Sequence, residues 1–119
     1  MSKYGLGEVG DGTGLYRPVY ETIPLESTVV RRIVKEIKAC YPEAVMIKVH
    51  GNPYQRSGVP DLYVAIKGKS IWIEIKREGA DTTALQRAML VKLRDMGVPC
   101  GTAESPQTAL DIIKKVLAL

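Results

Sequence analysis

The 119-residue chain has no phenylalanine, one tryptophan, one histidine and two cysteines. One histidine and no clustered cysteines disfavour a tetrahedral zinc centre. Cys40 and Cys100 lie too far apart for a CxxC knuckle and are too few for a disulfide framework, so both are expected as reduced, partly buried thiols of a cytosolic protein. No apolar run approaches the roughly 20 residues needed to cross a bilayer. The opening MSKYGLGEVGDGTGLYRPVY lacks the apolar core of a secretory signal, and a soluble, unexported chain is expected.

What is present suits one globular domain. Hydrophobic residues make up 45% of the chain and charged residues 25%, an ordinary balance for a protein of this length. The net charge is +4 and the pI near 9.1, mild support for a polyanionic partner. Its distribution says more: from Lys48 to Arg94 there are nine Lys or Arg against four Asp or Glu, and two of those four are Asp61 and Glu74. If these two bind a cation, the surrounding surface is more positive than the formal count and attractive to a phosphate backbone.

The chain divides into residues 1–23, a Gly-rich arm, and residues 24–119, a single domain. The arm carries Gly5, Gly7, Gly10, Gly12 and Gly14 with no 3.6- or 2-residue apolar period. It reads as a solvent tail or as a segment ordered by a partner. From Pro24 onward periodicity begins. Leu25, Val29, Val30, Ile33, Val34 and Ile37 predict an amphipathic helix closed by Tyr41-Pro42. AVMIKVH (44–50) predicts a strand, and GNPYQRSGVP a loop that could fold over a functional face. Two further β-like runs meet at Gly68-Lys69. Thr82 or Thr83 predicts the start of a helix with apolar Leu85, Met89, Leu93 and Met96, ended by Gly97. VPCGTA predicts a short strand, and Ser105-Pro106 the cap of a last helix bearing Leu110, Ile113 and Leu117. The alternation predicts an α/β fold with a mixed sheet flanked by helices.

The hairpin concentrates the chemistry. A two-residue Gly68-Lys69 turn predicts Leu62 facing Ile75, Val64 facing Ile73 and Ile66 facing Ile71 on a buried side. The other side then carries Asp61 opposite Lys76, Tyr63 opposite Glu74 and Ala65 opposite Trp72. Glu74 is diagonal to Asp61, a relation of about 7 to 8 Å. Glu-x-Lys on a strand is also common on a solvated face, and Asp after Pro is a common turn residue. Here the charges gather at the end of the hairpin away from the turn. Two hard oxygen ligands suit Mg²⁺ or Mn²⁺. Lys76 could position or help deprotonate a water and offset charge on a phosphoryl group. The set points to metal-assisted phosphodiester hydrolysis.

Pro60-Asp61, twelve intervening residues, then Glu74-Ile75-Lys76 resembles the PD-(D/E)xK nuclease superfamily. RSGVPDLYV followed by WIEIKRE and a helix with an early Gln86 resembles, more narrowly, the VRR-NUC (virus-type replication-repair nuclease) domains, over about residues 25–104. The resemblance implies a restriction-endonuclease-like αβββαβ core, here with an added C-terminal helix. It also implies Mg²⁺ or Mn²⁺ held by Asp61, Glu74 and the Ile75 carbonyl, and Glu26 approaching the metal directly or through water. An acid in a first turn also simply favours the helix dipole. Gln86 is either a site residue near the water or DNA, or the partner of Thr83 in a capping box. Lys48, Arg56, Arg77 and Arg87 are candidate phosphate contacts, each equally an ordinary solvated charge. His50 is a conceivable base or a loop-packing residue.

The resulting expectation is a metal-dependent, structure-specific endodeoxyribonuclease, a homodimer resolving branched DNA such as four-way junctions in DNA repair. Its setting is expected to be cytoplasmic, in a bacterial or phage-infected cell, with no organic cofactor and no membrane. Flap or single-strand cleavage, or a non-catalytic nucleic-acid-binding module on the same fold, stand as alternatives.

Overall fold

Ile33, Ile37, Leu62, Ile71, Ile73, Ile75 and Ile113 are all fully buried, and the architecture is the arrangement that brings these aliphatic side chains together. The computed structural model describes residues 6–8, 16–18, 25–49 and 58–119. In chain order these form β1 (Leu6–Glu8), β2 (Tyr16–Pro18), α1 (Glu26–Cys40), β3 (Val45–Lys48), β4 (Leu62–Ile66), β5 (Lys69–Ile75), α2 (Ala84–Asp95), β6 (Cys100–Ala103) and α3 (Pro106–Leu117). From α1 onward this is the expected α/β order of helix, three strands, helix, strand and helix.

β3, β4, β5 and β6 lie side by side in that order, β3–β4 and β4–β5 antiparallel and β5–β6 parallel. The parallel step exists because α2 carries the chain back before β6 begins. Leu62, Val64 and Ile66 of β4 alternate with half-buried neighbours, and Ile71, Ile73 and Ile75 of β5 lie beside them. Period-2 geometry puts all six on one face. Onto that face pack Val29, Ile33 and Ile37 of α1, one helical stripe at four-residue spacing, and Ala109, Leu110, Ile113 and Val116 of α3. Each fully buried aliphatic contributes about 1.5 to 3 kcal/mol relative to exposure.

The helix ends follow local chemistry. Ser105 caps α3 by accepting from the Thr108 backbone N–H at 3.2 Å, with Pro106 in the first turn. Thr83 caps α2. α1 starts at Glu26 without a side-chain cap.

Three expectations need correction. First, the hairpin turns at Lys67-Gly68, whose φ values are +48° and +77°. Positive φ at both central residues is the type I′ geometry that matches strand twist, whereas the Gly68-Lys69 turn relied on glycine at the first position alone. Lys67 is the non-glycine residue forced left-handed, and its ammonium lies 5.6 Å from the centroid of the Tyr41 ring. Leu62 therefore faces Ile73, Tyr63 faces Trp72 and Val64 faces Ile71. The pairing differs from the expected one by two residues, so every side chain keeps its face. Second, α2 buries Leu90, while Leu85 and Met96 are exposed. Its inward arc at 100° per residue is Gln86, Met89, Leu90 and Leu93. Third, the arm contains β1 and β2, an antiparallel pair with Leu6 opposite Pro18, where no strand was expected. Three residues on each side are too few to register as an alternation.

Candidate active site

The second face of the sheet begins with the end of the hairpin. Continued by one position past Leu62–Ile73, the observed register sets Asp61 directly opposite Glu74, not opposite Lys76. Side-chain origins in that relation are about 4.5 to 5.5 Å apart, closer than the expected diagonal. The carbonyl of Asp61 accepts from the Val49 N–H at 2.7 Å, tying it to the end of β3. Its carboxylate Oδ2 accepts from the Ile75 N–H at 3.0 Å.

That last bond replaces a ladder bond. The N–H groups of Trp72 and Lys76 donate to Pro99 and Ala103, on the β6 side. Strand alternation therefore aims the N–H and C=O of Ile75 towards β4. The residue that the register sets opposite Ile75 is Pro60, which has no N–H to give. The Ile75 carbonyl thus faces the Asp61 end of the hairpin without a ladder donor from proline.

Glu74 is only 1% exposed, the one buried charged residue described. Its Oε1 accepts from the Gln86 side-chain amide at 3.0 Å, and its Oε2 is buried with no hydrogen-bond partner. Burial pushes this carboxyl up to about 8, the neighbouring Asp61 adds to the rise, Lys76 opposes it, and Glu26 adds a further like charge. Asp61, Lys76 and Glu26 are therefore all close enough to Glu74 to act on its charge.

Gln86 serves both roles the sequence left open. Its carbonyl accepts from the Thr83 N–H at 2.8 Å while its own N–H donates to Thr83 Oγ1 at 3.2 Å, a complete capping box. The same side chain's NH₂ reaches Glu74. One amide thus caps the start of α2 and orients the buried carboxylate.

The nucleic-acid candidates separate. Lys48 Nζ lies 3.8 Å from Asp61 Oδ1, so it belongs to the carboxylate cluster. Its distance from Asp61 in sequence concealed this, and the only signal was its place at the end of the strand before the loop. Arg87 is exposed and its guanidinium donates to the Thr82 carbonyl at the start of α2. Arg77 is half-buried, and its carbonyl accepts from Ala80 in the turn after β5. Arg56, His50 and the loop 51–57 lie outside the described residues.

A residue missed by sequence reading is Gly58, with φ +87°. A Cβ there would stand 2.6 Å from the Leu85 carbonyl oxygen, so only glycine lets the backbone before Pro60-Asp61 lie against the first turn of α2.

The donor set fits a hard cation. It consists of carboxylate and carbonyl oxygens, one of them buried and unpartnered, around a carboxyl whose charge is held back by burial and by the neighbouring Asp61. Among the described residues no group of three or more His, Cys, Asp and Glu side chains could hold a metal by itself. A cation here would complete its shell with backbone, water or substrate oxygens.

No family model matches the sequence, and no curated protein matches it. Among solved structures, a VRR_NUC domain superposes with a TM-score of 0.63 at 22% identity, covering 75% of this chain and 94% of that one. The chain has a VRR-NUC-like fold: a mixed sheet with helices on both faces.

Proposed function

We propose that this protein is a divalent-metal-dependent, structure-specific DNA endonuclease, acting as a homodimer on branched DNA such as a four-way junction. The observation that carries the reading is the buried, unpartnered Oε2 of Glu74 directly across the hairpin from Asp61. Ionising a buried carboxyl that lacks a partner is costly, and a Mg²⁺ or Mn²⁺ ion is the species that would offset that cost. The likeness of the fold to a VRR_NUC domain supports a nuclease-type reading.

Asp61, Glu74 and the Ile75 carbonyl would hold the ion, with Glu26 contributing directly or through water. When bound, it supplies Lewis-acid polarisation of a phosphoryl oxygen and acidifies a water. Asp61 is fixed by the Ile75 N–H, Glu74 by Gln86, so neither has to be ordered when substrate arrives. Lys76, two residues beyond Glu74 on the same strand face, holds or moves the proton of the attacking water and offsets charge on the phosphoryl oxygens. Lys48, Arg77 and Arg87 offer phosphate contacts. Among the described residues one chain offers one such opposed carboxylate pair, whereas a junction needs two cuts, hence the dimer. Val45 and Ile47 on the outer strand β3 are 57% and 53% exposed, apolar area that a second subunit could cover.

The test is cleavage of four-way, flap and linear DNA in Mg²⁺ and in chelator. Asp61→Ala, Glu74→Ala and Lys76→Ala should each abolish cutting while DNA binding stays measurable. Preference for flaps would redirect the substrate assignment. Binding without cutting of any substrate would leave a non-catalytic DNA-binding module.

A further inference from the structure

The outward face of α1 carries positive charge that the carboxylate site does not use. Arg31, Arg32, Lys35 and Lys38 are all exposed. At 100° per residue they fall within about 120° of arc, turned away from the buried line Val29, Ile33 and Ile37. Arg31, Arg32 and Lys35 line, with Thr28, a concavity of about 440 Å³. Arg31 Nη2 donates to Thr28 Oγ1 at 3.4 Å, and Lys38 Nζ to the Ala44 carbonyl at 3.0 Å.

Among the described residues none of these four cations is in a salt bridge. Beyond its first turn α1 has one acid, Glu36, which accepts from the Cys40 thiol at 3.8 Å. α3 shows the contrasting pattern: Gln107 bonds Asp111, and Lys114 and Lys115 follow. On α1, Arg31 stands four residues before Lys35, a like-charge spacing that works against an isolated helix.

We infer that this face of α1 is a second nucleic-acid surface, which grips the phosphate backbone of a duplex segment outside the carboxylate site. The inference rests on the nucleic-acid partner proposed above. From Arg31 to Lys38 the helix rises about 10 Å. Duplex DNA offers one phosphate per about 3.4 Å of axis on each strand, so the row spans about three phosphates of one strand. Arg31 lies five residues, about 7.5 Å of axis, past Glu26, whose charge reaches Glu74. The row therefore begins beside the site and leads away from it along the helix. Arginine at two positions adds forked donors matched to phosphate oxygens.

The experiment measures binding of the full chain to a four-way junction and to a linear duplex in chelator, across a salt series, for wild type and for R31Q/R32Q/K35Q. The variant should bind about tenfold or more weakly at low salt, and its slope of log K against log salt should be shallower by about 2.7, from about 0.9 for each lost phosphate contact. R31K/K35R, which keeps the charges, should retain the wild-type slope. Should the triple variant fail to fold by circular dichroism, R31Q/K35Q gives the same reading with a change of about 1.8. An unchanged slope and affinity would overturn the inference, as would a chain that binds vesicles of anionic phospholipid but neither DNA. Because no metal is present, the measurement is independent of cleavage: a protein that binds through this face and never cuts in Mg²⁺ keeps the surface and loses the nuclease.

Discussion

The side-chain amide of Gln86 donates to Glu74 Oε1 at 3.0 Å while its carbonyl accepts from the Thr83 N–H at 2.8 Å. The two bonds fix which end of the amide is which. The oxygen must face the helix start, so the NH₂ must face the carboxylate. The start of α2 and the orientation of Glu74 are thereby a single structural event.

Replacing Gln86 with Ala should cost about 1 to 3 kcal/mol in chemical denaturation, from half a capping box and one bond to a buried carboxyl. Gln86→Glu keeps an acceptor for Thr83 but faces Glu74 with a second carboxyl. It should lower stability at neutral pH more than at pH 5, a contrast the alanine variant should lack.

Glu74 also sets a pH dependence. Its carboxyl is raised from 4.5 to about 8 on folding, so between those values the folded chain binds a proton that the unfolded chain has released. Stability contributed by the protonated group is complete below about pH 4.5 and is lost as pH rises through about 8, at no more than about 1.4 kcal/mol per pH unit. Denaturant midpoints measured in chelator should fall across this window. Glu74→Gln should flatten the fall.

Mg²⁺ should stabilise the folded chain, by about 2.7 kcal/mol at a hundred times its dissociation constant. A thermal shift that grows with Mg²⁺ in wild type and is absent in Asp61→Asn and Glu74→Gln is the expected result. Equal shifts in all three would place the ion elsewhere.

The turn geometry is testable without function. Gly68→Ala at φ +77° should cost about 1 kcal/mol, and Lys67→Asn at φ +48° should be neutral or stabilising, since asparagine tolerates that conformation. A Gly68-Lys69 turn would make position 67 indifferent.

Gly58→Ala should be worse than Gly68→Ala. Both glycines have positive φ, but an added methyl at 68 meets open space, whereas at 58 it meets the Leu85 carbonyl. A loss above about 2 kcal/mol in denaturation, more than strain alone gives, is expected.

The sequence revealed the fold well where one strong period or cap decided the outcome. Val29, Ile33 and Ile37 on α1, Ser105-Pro106 on α3 and the alternation through β4 and β5 were readable because each is a local pattern. The hairpin register was not, because glycine at 68 is compatible with two turn positions and the choice depends on Lys67 accepting a left-handed backbone against Tyr41. The inward arc of α2 was misread for a related reason: Leu85 and Met96 are apolar and helically spaced, but Glu74 beneath the helix draws Gln86 inward and rotates them out. The closeness of Asp61 and Glu74 was inferred from strand parity alone, which two registers share. Lys48 beside Asp61 and Gly58 against Leu85 are contacts across sequence gaps, and no local signal encodes them.

The ribbon's alternation has an evolutionary consequence. Twelve residues separate Asp61 from Glu74, an even number, which a two-residue tip resolves into opposed acids. Lengthening or trimming this hairpin by residue pairs would preserve that opposition, while any odd-numbered change would demand a bulge or a three-residue loop. Homologous chains with a differently sized ribbon should therefore differ in steps of two, or carry a glycine that marks the compensating kink.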